Sequence, residues 1–422
     1  MRVLWFTNTP AGGIDYLNLA LKGTGGWLYS LDNYMQNVVE LNIAFLYPYK
    51  KPAFRYNKTM YYPVFTGNII VENLKNKWLN QTYNTNFLLQ YIEVIERVKP
   101  DIIHIHGTEN SFGCIIDKVN VPIVVSMQGI LTVIHHKFLS GLYGEFLKFK
   151  KLEFSLKNFL FGKTNFYDSY CILGKMAVNE KRYLRKTKNI IGRTEWDRRV
   201  TRILAPDSKY FVVNEMLRDS FYNSCQIKKE LSNKIVIHTT SGNSYFKGFE
   251  TLCNAINLLN DMGLNFEWRV AGISSNSLIN IILKKKLKGN YPKKSLKLLG
   301  SLAESQLVDK MNEAHIYVMT SHIENSPNNL CEAMILGLPC IASNVGGTNT
   351  LLKDGEDGIL IQDGDPWVLS GAILELIENW DVALILGENA RKRALERHDR
   401  LTIRNSILDV YHLIISSHQQ KN

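Results

Sequence analysis

The 422-residue sequence holds no run of 18 apolar residues, so no membrane-spanning helix is expected. Residues Met1 to Asn8 turn polar after one short apolar run and lack the pattern of a secretory signal. Cysteine is scarce and scattered: Cys114, Cys171, Cys225, Cys253, Cys331 and Cys340 include no C-x-x-C pair. They read as reduced side chains of a cytosolic protein, not as a disulfide or zinc framework. No His, Cys and carboxylate cluster has metal-ligand spacing, so neither a metal nor another cofactor is expected. Repeats and low-complexity stretches are missing as well. What is present, 45% hydrophobic and 21% charged residues, is ordinary globular composition and excludes a disordered or fibrous chain. The length suits two cores of about 200 residues each.

Charge is uneven. The net +11 divides into +12 over residues 1–210 (28 basic, 16 acidic) and −1 over the remainder (22 basic, 23 acidic). Residues 137–209 alone carry 17 basic and 7 acidic side chains. Such a first half faces an anionic partner, whether membrane surface, substrate or nucleic acid. Nucleic acid is disfavoured, because no helix-turn-helix, zinc-finger or RNA-binding motif accompanies the charge and the second half is slightly acidic.

Short apolar runs bounded by glycine and polar residues recur as they do in buried parallel strands. They lie at 102–106 and 122–126, after a short apolar strand candidate at 2–6; further strands read at 234–238, 266–271, 296–299, 315–320 and 339–342. Helical spacing follows several of them, at 27–39, 248–262, 304–313 and 328–337, and a tail helix is expected over 391–415. The alternation predicts an α/β protein with two Rossmann-like, doubly wound domains facing across a cleft. The expected divisions are residues 1–215, residues 216–395, and a C-terminal helix in 396–422 that packs back on the first domain.

The most informative stretch is residues 315–347. An apolar strand ends at Thr320-Ser321, a loop carries Glu324, and Ser326 and Pro327 suit the cap and first position of a helix ending near Gly337. The free amides of Asn328, Asn329 and Leu330 would form an anion site there. Glu324 and Glu332 flank that site with seven residues between them.

The stretch E-N-S-P-N-N-L-C-E-A-M resembles the E-x7-E signature of the retaining enzymes of glycosyltransferase family 4. L-L-G-S-L before it and D-G-E-D-G-I-L after it fit the same pattern. The resemblance is strongest over about 232–380 and continues through P-D-I-I-H-I-H-G in the first half. It implies the two-domain GT-B architecture and transfer of a sugar, with retention, from a nucleotide diphosphate donor to an acceptor hydroxyl. A UDP-sugar is the favoured donor. In that reading Glu332 binds the ribose, Glu324 the donor sugar, and the amides of Asn328, Asn329 and Leu330 the sugar or diphosphate. Lys247 stabilises the leaving diphosphate, and the glycines at Gly25-Gly26, or alternatively Gly12-Gly13, permit its close approach.

Two departures from the pattern stand out. The family places an arginine five or six residues before the lysine, where this chain has Ser241 and Gly242; Arg193 is a candidate substitute. The family histidine before glycine is Gln128 here, which can position the sugar but not exchange a proton. His106, at a strand end, is a further cleft candidate, a core histidine being the alternative.

Arg193 and Arg198 are candidates for binding a phosphorylated acceptor, with a structural ion cluster as the alternative. Residues 137–163 interleave Phe, Leu and Tyr with lysines, which suits either an anionic bilayer surface or a core-packed helix. The expected partners are therefore a nucleotide-sugar, a lipid-linked or phosphorylated glycan acceptor, and an anionic membrane face; a bacterial surface-polysaccharide pathway is the natural setting. The expected location is cytoplasmic, peripheral on the inner membrane face. A non-catalytic nucleotide-sugar-binding subunit is the alternative function. Asp363-Gly364-Asp365 resembles a D-x-D metal motif, but Asp365-Pro366 reads better as a helix cap.

Overall fold

The computed structural model describes residues 1–19, 26–67, 85–141, 166–224 and 230–420. The apolar runs become strands of two separate sheets. The first comprises β1 (Arg2–Thr7), β2 (Glu40–Tyr47), β3 (Phe54–Tyr56), β4 (Thr59–Phe65), β5 (Ile102–His106), β6 (Ile123–Ser126), β7 (Asn189–Gly192) and β8 (Lys209–Val212), ordered β3-β4-β2-β1-β5-β6-β7-β8. The second comprises β9 (Ile235–Thr240), β10 (Phe266–Ala271), β11 (Leu296–Gly300), β12 (Ile316–Met319), β13 (Cys340–Ser343) and β14 (Ile359–Ile361), ordered β11-β10-β9-β12-β13-β14. Pairing is parallel throughout both sheets, except that β3 runs antiparallel to β4.

Parallel strands need helical crossovers, and helices on both faces bury them completely. Val3, Leu4, Trp5 and Phe6 of β1 are accordingly all 0% exposed. Apolar clusters lie on each face of each sheet. The order of the strands reverses between β1 and β5 in one sheet and between β9 and β12 in the other. Loops leaving the carboxyl ends of those strands diverge there and open a crevice.

The expected tail helix is in fact two helices, Trp380–Arg397 and Arg400–Gln419. Asp399 stops the first and caps the second by accepting from the Thr402 amide at 2.8 Å. The final helix packs on the first sheet: Ile403, Ile407, Val410, Tyr411 and Ile414 share a cluster with Val3 and Trp5. Tyr411, fully buried, accepts from Trp5 Nε1 at 2.9 Å and lies 2.6 Å from His104 Nδ1. No helix among the described residues is long and apolar enough to cross a membrane.

Candidate active site

The carboxyl ends of β9 and β12 bring Lys247 and Glu324 together. Gly248, at φ +67°, ends the short turn that carries Lys247, and a Cβ there would lie 1.7 Å from the Thr320 carbonyl oxygen. Only glycine lets the two loops pack this closely. Lys247 Nζ then lies 2.5 Å from Glu324 Oε1, which also accepts from Ser321 Oγ at 2.7 Å.

The helix after this loop spans Asn328–Ile335. Pro327, not Ser326, is its N-cap, and no side chain caps it. Ser326 instead donates its hydroxyl to the Glu215 carboxylate, a buried acceptor contributed by the segment after β8. The uncapped amides of Asn328 and Asn329 therefore head a helix whose dipole favours an anion. Leu330 departs from expectation: its amide donates to the Pro327 carbonyl at 3.0 Å and its side chain is 0% exposed in the core.

A cleft of about 660 Å³ runs between the two sheets. From the second sheet's side Lys247, Glu324, Asn328, Asn329 and Glu332 line it; from the first come Gly26, Gln128 and Arg193. Arg193 is 6% exposed, donates to Gln128 Oε1 at 2.9 Å, lies 3.5 Å from Glu215 Oε2 and stacks 5.1 Å from the Trp27 ring. The side-chain amide of Gln128 is then left with a buried Nε2 that has no partner. An unsatisfied buried donor costs on the order of 1–3 kcal/mol.

Other expected site residues lie elsewhere. His106 does not line the cleft. It is 2% exposed, stacked 3.8 Å from the His104 ring and edge-on to Trp5 at 4.7 Å. Burial holds its pKa well below the usual histidine value, with His104 and Arg193 adding to the effect, so it is a neutral core ring. Arg198 is a surface residue bound to Glu195 at 2.6 Å within one helix, and it is not among the residues that line the cleft. Gly25 lies outside the described residues, as does most of 137–163. Asp365 caps the helix Pro366–Glu378 through the amides of Trp367 and Val368, both at 3.0 Å, while Asp363 bonds His322.

Sequence reasoning missed Arg218. It sits just after β8 in the strap joining the two sheets, 14% exposed, and lines the cleft. Its guanidinium donates to both oxygens of Glu332, Nε to Oε1 at 2.7 Å and Nη2 to Oε2 at 2.6 Å. A Cβ on Gly26 would lie 2.5 Å from Arg218 Cδ, so this glycine makes room for the arginine. Desolvation raises the Glu332 pKa, and Arg218 counters it. No local motif announces such a partner 114 residues away; a lone arginine in a linker was the only trace.

Among the described residues, Glu215, Cys331 and His398 bring three potential metal-ligand atoms within 4.8 Å of one another. Burial alone would lift the Glu215 pKa, but the charges of Arg193, His398 and Arg397 outweigh it and hold it low. Arg193 and Arg397 compensate that carboxylate, so the cluster is part of a buried ion network.

The two facing parallel sheets with a cleft at their switch points are the GT-B architecture. Along 98% of this chain and 99% of the other, the fold matches sucrose-phosphate synthase from Thermosynechococcus elongatus, with TM-score 0.72 and 13% identity. Residues 224–393 match the family model described as Glycosyl transferases group 1. An uncharacterized glycosyltransferase of Methanocaldococcus jannaschii is 28% identical over 168 residues, 39% of this chain and 42% of the relative. A UDP-Gal:alpha-D-GlcNAc-diphosphoundecaprenol alpha-1,3-galactosyltransferase of Escherichia coli is 31% identical over 130 residues, 30% of this chain and 33% of the relative. The chain thus spans less than half the length of these curated relatives.

Proposed function

We propose that this protein is a retaining glycosyltransferase that moves a sugar from a nucleoside diphosphate, UDP in the favoured case, to an acceptor hydroxyl. The observation that carries the reading is the convergence of Lys247, Glu324, the uncapped helix end at Asn328-Asn329 and the Arg218–Glu332 pair on one cleft. Glu332 accepts from the ribose hydroxyls, the helix amides and Lys247 hold the diphosphate, and Glu324 orients the sugar. Arg218 and Arg193 supply the positive charge that Ser241 and Gly242 do not. The orphaned Nε2 of Gln128 donates to a sugar oxygen.

In the reaction the acceptor oxygen bonds to the anomeric carbon as the bond from that carbon to the diphosphate oxygen breaks. The bonding pair leaves with the diphosphate, and the acceptor proton passes to that departing oxygen. Charge grows on the phosphate in the transition state, so fixed cations and amides there lower the barrier. A lipid-linked or phosphorylated glycan acceptor, reached from an anionic membrane face on the cytoplasmic side, agrees with the excess positive charge of residues 1–210 and with the diphosphoundecaprenol-linked substrate in the name of the Escherichia coli relative. The reading needs no metal or other cofactor.

A thermal-shift panel of nucleotide-sugars tests the proposal, followed by a transfer assay with the stabilising donor. Glu324→Ala should abolish turnover while retaining nucleotide binding. Stabilisation by no nucleotide-sugar would refute the reading, and binding without turnover across lipid-linked acceptors would leave only a donor-binding subunit.

A further inference from the structure

Asn325 stands between Glu324 and Ser326, in a loop of the second domain, yet all three of its side-chain hydrogen bonds go to the first. Its Oδ1 accepts from Thr194 Oγ1 at 2.8 Å. Its Nδ2 donates to the Gln128 carbonyl oxygen at 3.0 Å and to Asp197 Oδ2 at 2.9 Å. Thr194 and Asp197 form the capping box of the helix Glu195–Leu204, and Asp197 is 0% exposed. The amide of Asn325 thus completes a closed cycle, from the Asp197 N–H to Thr194 Oγ1 at 3.1 Å, on to Asn325, and back to the Asp197 carboxylate. Asn325 itself is 6% exposed.

Two glycines make this approach sterically feasible. A Cβ on Gly346 would lie 1.8 Å from the Glu324 carbonyl oxygen. One on Gly347 would lie 2.1 Å from the Asn325 carbonyl oxygen and 2.6 Å from Thr194 Cγ2. The Gly347 amide also donates to the Glu324 carbonyl at 3.0 Å, which ties the backbone of Glu324 directly to the interdomain seam.

We infer that Asn325 is a positioning residue that makes closure of the two domains and placement of Glu324 a single event. The inference rests on the glycosyl-transfer reading for its kinetic consequence, but its structural consequence stands apart. Asparagine suits the role because the contact needs one acceptor and two donors on a short side chain. Aspartate has the same shape, cannot donate when ionised, and would set a second carboxylate against Asp197.

The test compares the full wild-type chain with Asn325→Asp by small-angle X-ray scattering, with and without UDP. Circular dichroism verifies folding, and Asn325→Ser replaces the aspartate variant if that one does not fold. The expected result is a larger radius of gyration for the variant in both conditions. UDP affinity should fall far less than turnover, because Lys247, Glu332 and the helix amides belong to the second domain and Arg193 alone of the proposed diphosphate cations comes from the first, while kcat falls about 100-fold, as expected when a reacting geometry is displaced by about 1 Å. An unchanged radius of gyration overturns the inference, and so does a loss confined to KM. If wild type neither binds UDP nor consumes UDP-glucose or another nucleotide-sugar, the glycosyl-transfer reading fails, and the scattering comparison still decides whether Asn325 holds the domains together.

Discussion

The guanidinium of Arg218 clamps both carboxylate oxygens of Glu332, at 2.7 and 2.6 Å, with the carboxylate 4% exposed. Each oxygen keeps a second lone pair, so the clamp aims the acid without exhausting it as an acceptor. The strap between the sheets therefore reaches into the cleft.

Arg218→Ala should weaken UDP binding by about 10- to 100-fold, in line with losing a charge-assisted pair worth roughly 1.5–3 kcal/mol. Burial already raises the Glu332 pKa, and without Arg218 it rises further. Losing the guanidinium favours the protonated acid further, so between pH 8 and pH 6 the variant's affinity should fall more steeply than that of wild type. Isothermal titration calorimetry across that range checks both parts; equal affinity of variant and wild type would remove Arg218 from the site.

Lys247 is paired with Glu324 at 2.5 Å and lines the cleft from the second domain. Lys247→Met should lower kcat by about 100- to 1000-fold, the typical effect of deleting one fixed group that stabilises developing charge. Steady-state kinetics with the donor found in the thermal-shift panel reads this out. A change in KM alone would assign the lysine to ground-state binding.

His322 lies 2.5 Å from Glu250 Oε1 and 2.6 Å from Asp363 Oδ1, with its side chain 2% exposed. Burial pulls its pKa down, but hydrogen bonds to Asp363 and Glu250 and their charges outweigh it and raise the value to about 9. A raised histidine pKa stabilises the fold fully below the unfolded value of about 6.5, and that contribution fades as pH climbs through about 9. The unfolding free energy of wild type minus that of His322→Gln should therefore shrink by about 3 kcal/mol between pH 6 and pH 10. Urea melts at each pH measure it, and a flat difference would show the ring to be neutral.

Tyr411 ties the last helix to β1 and β5 through Trp5 and His104. Tyr411→Phe keeps the ring and removes the hydroxyl, leaving the buried Trp5 N–H without an acceptor. A loss of about 1–3 kcal/mol is expected in chemical denaturation, with UDP affinity unchanged. No loss would mean that the neighbours re-pair on their own.

The strands easiest to read from sequence had a continuous apolar run, such as Ile123–Ser126, or an alternating one, such as Phe266–Ala271. β4 escaped because Pro63 sits inside it, and proline ordinarily argues against a strand interior. β7 and β8, at four residues each, are too short to show a period. His106 was legible as a strand end, with cleft and core both open; the core placement was decided by neighbours such as Trp5, Trp27 and His104, which enclose it only after the sheet forms.

By itself the sequence determined the alternation of strand and helix, the switch-point loops, and the spacing that sets Glu324 and Glu332 about one helix end. These follow from local periodicity, capping and glycine placement, which act over a few residues. Only the tertiary structure decided that Arg218 meets Glu332 and that Asn325 meets Thr194 and Asp197, pairs separated by 114, 131 and 128 positions. Such partners are selected by how two sheets twist and face each other, and no short-range pattern encodes that arrangement.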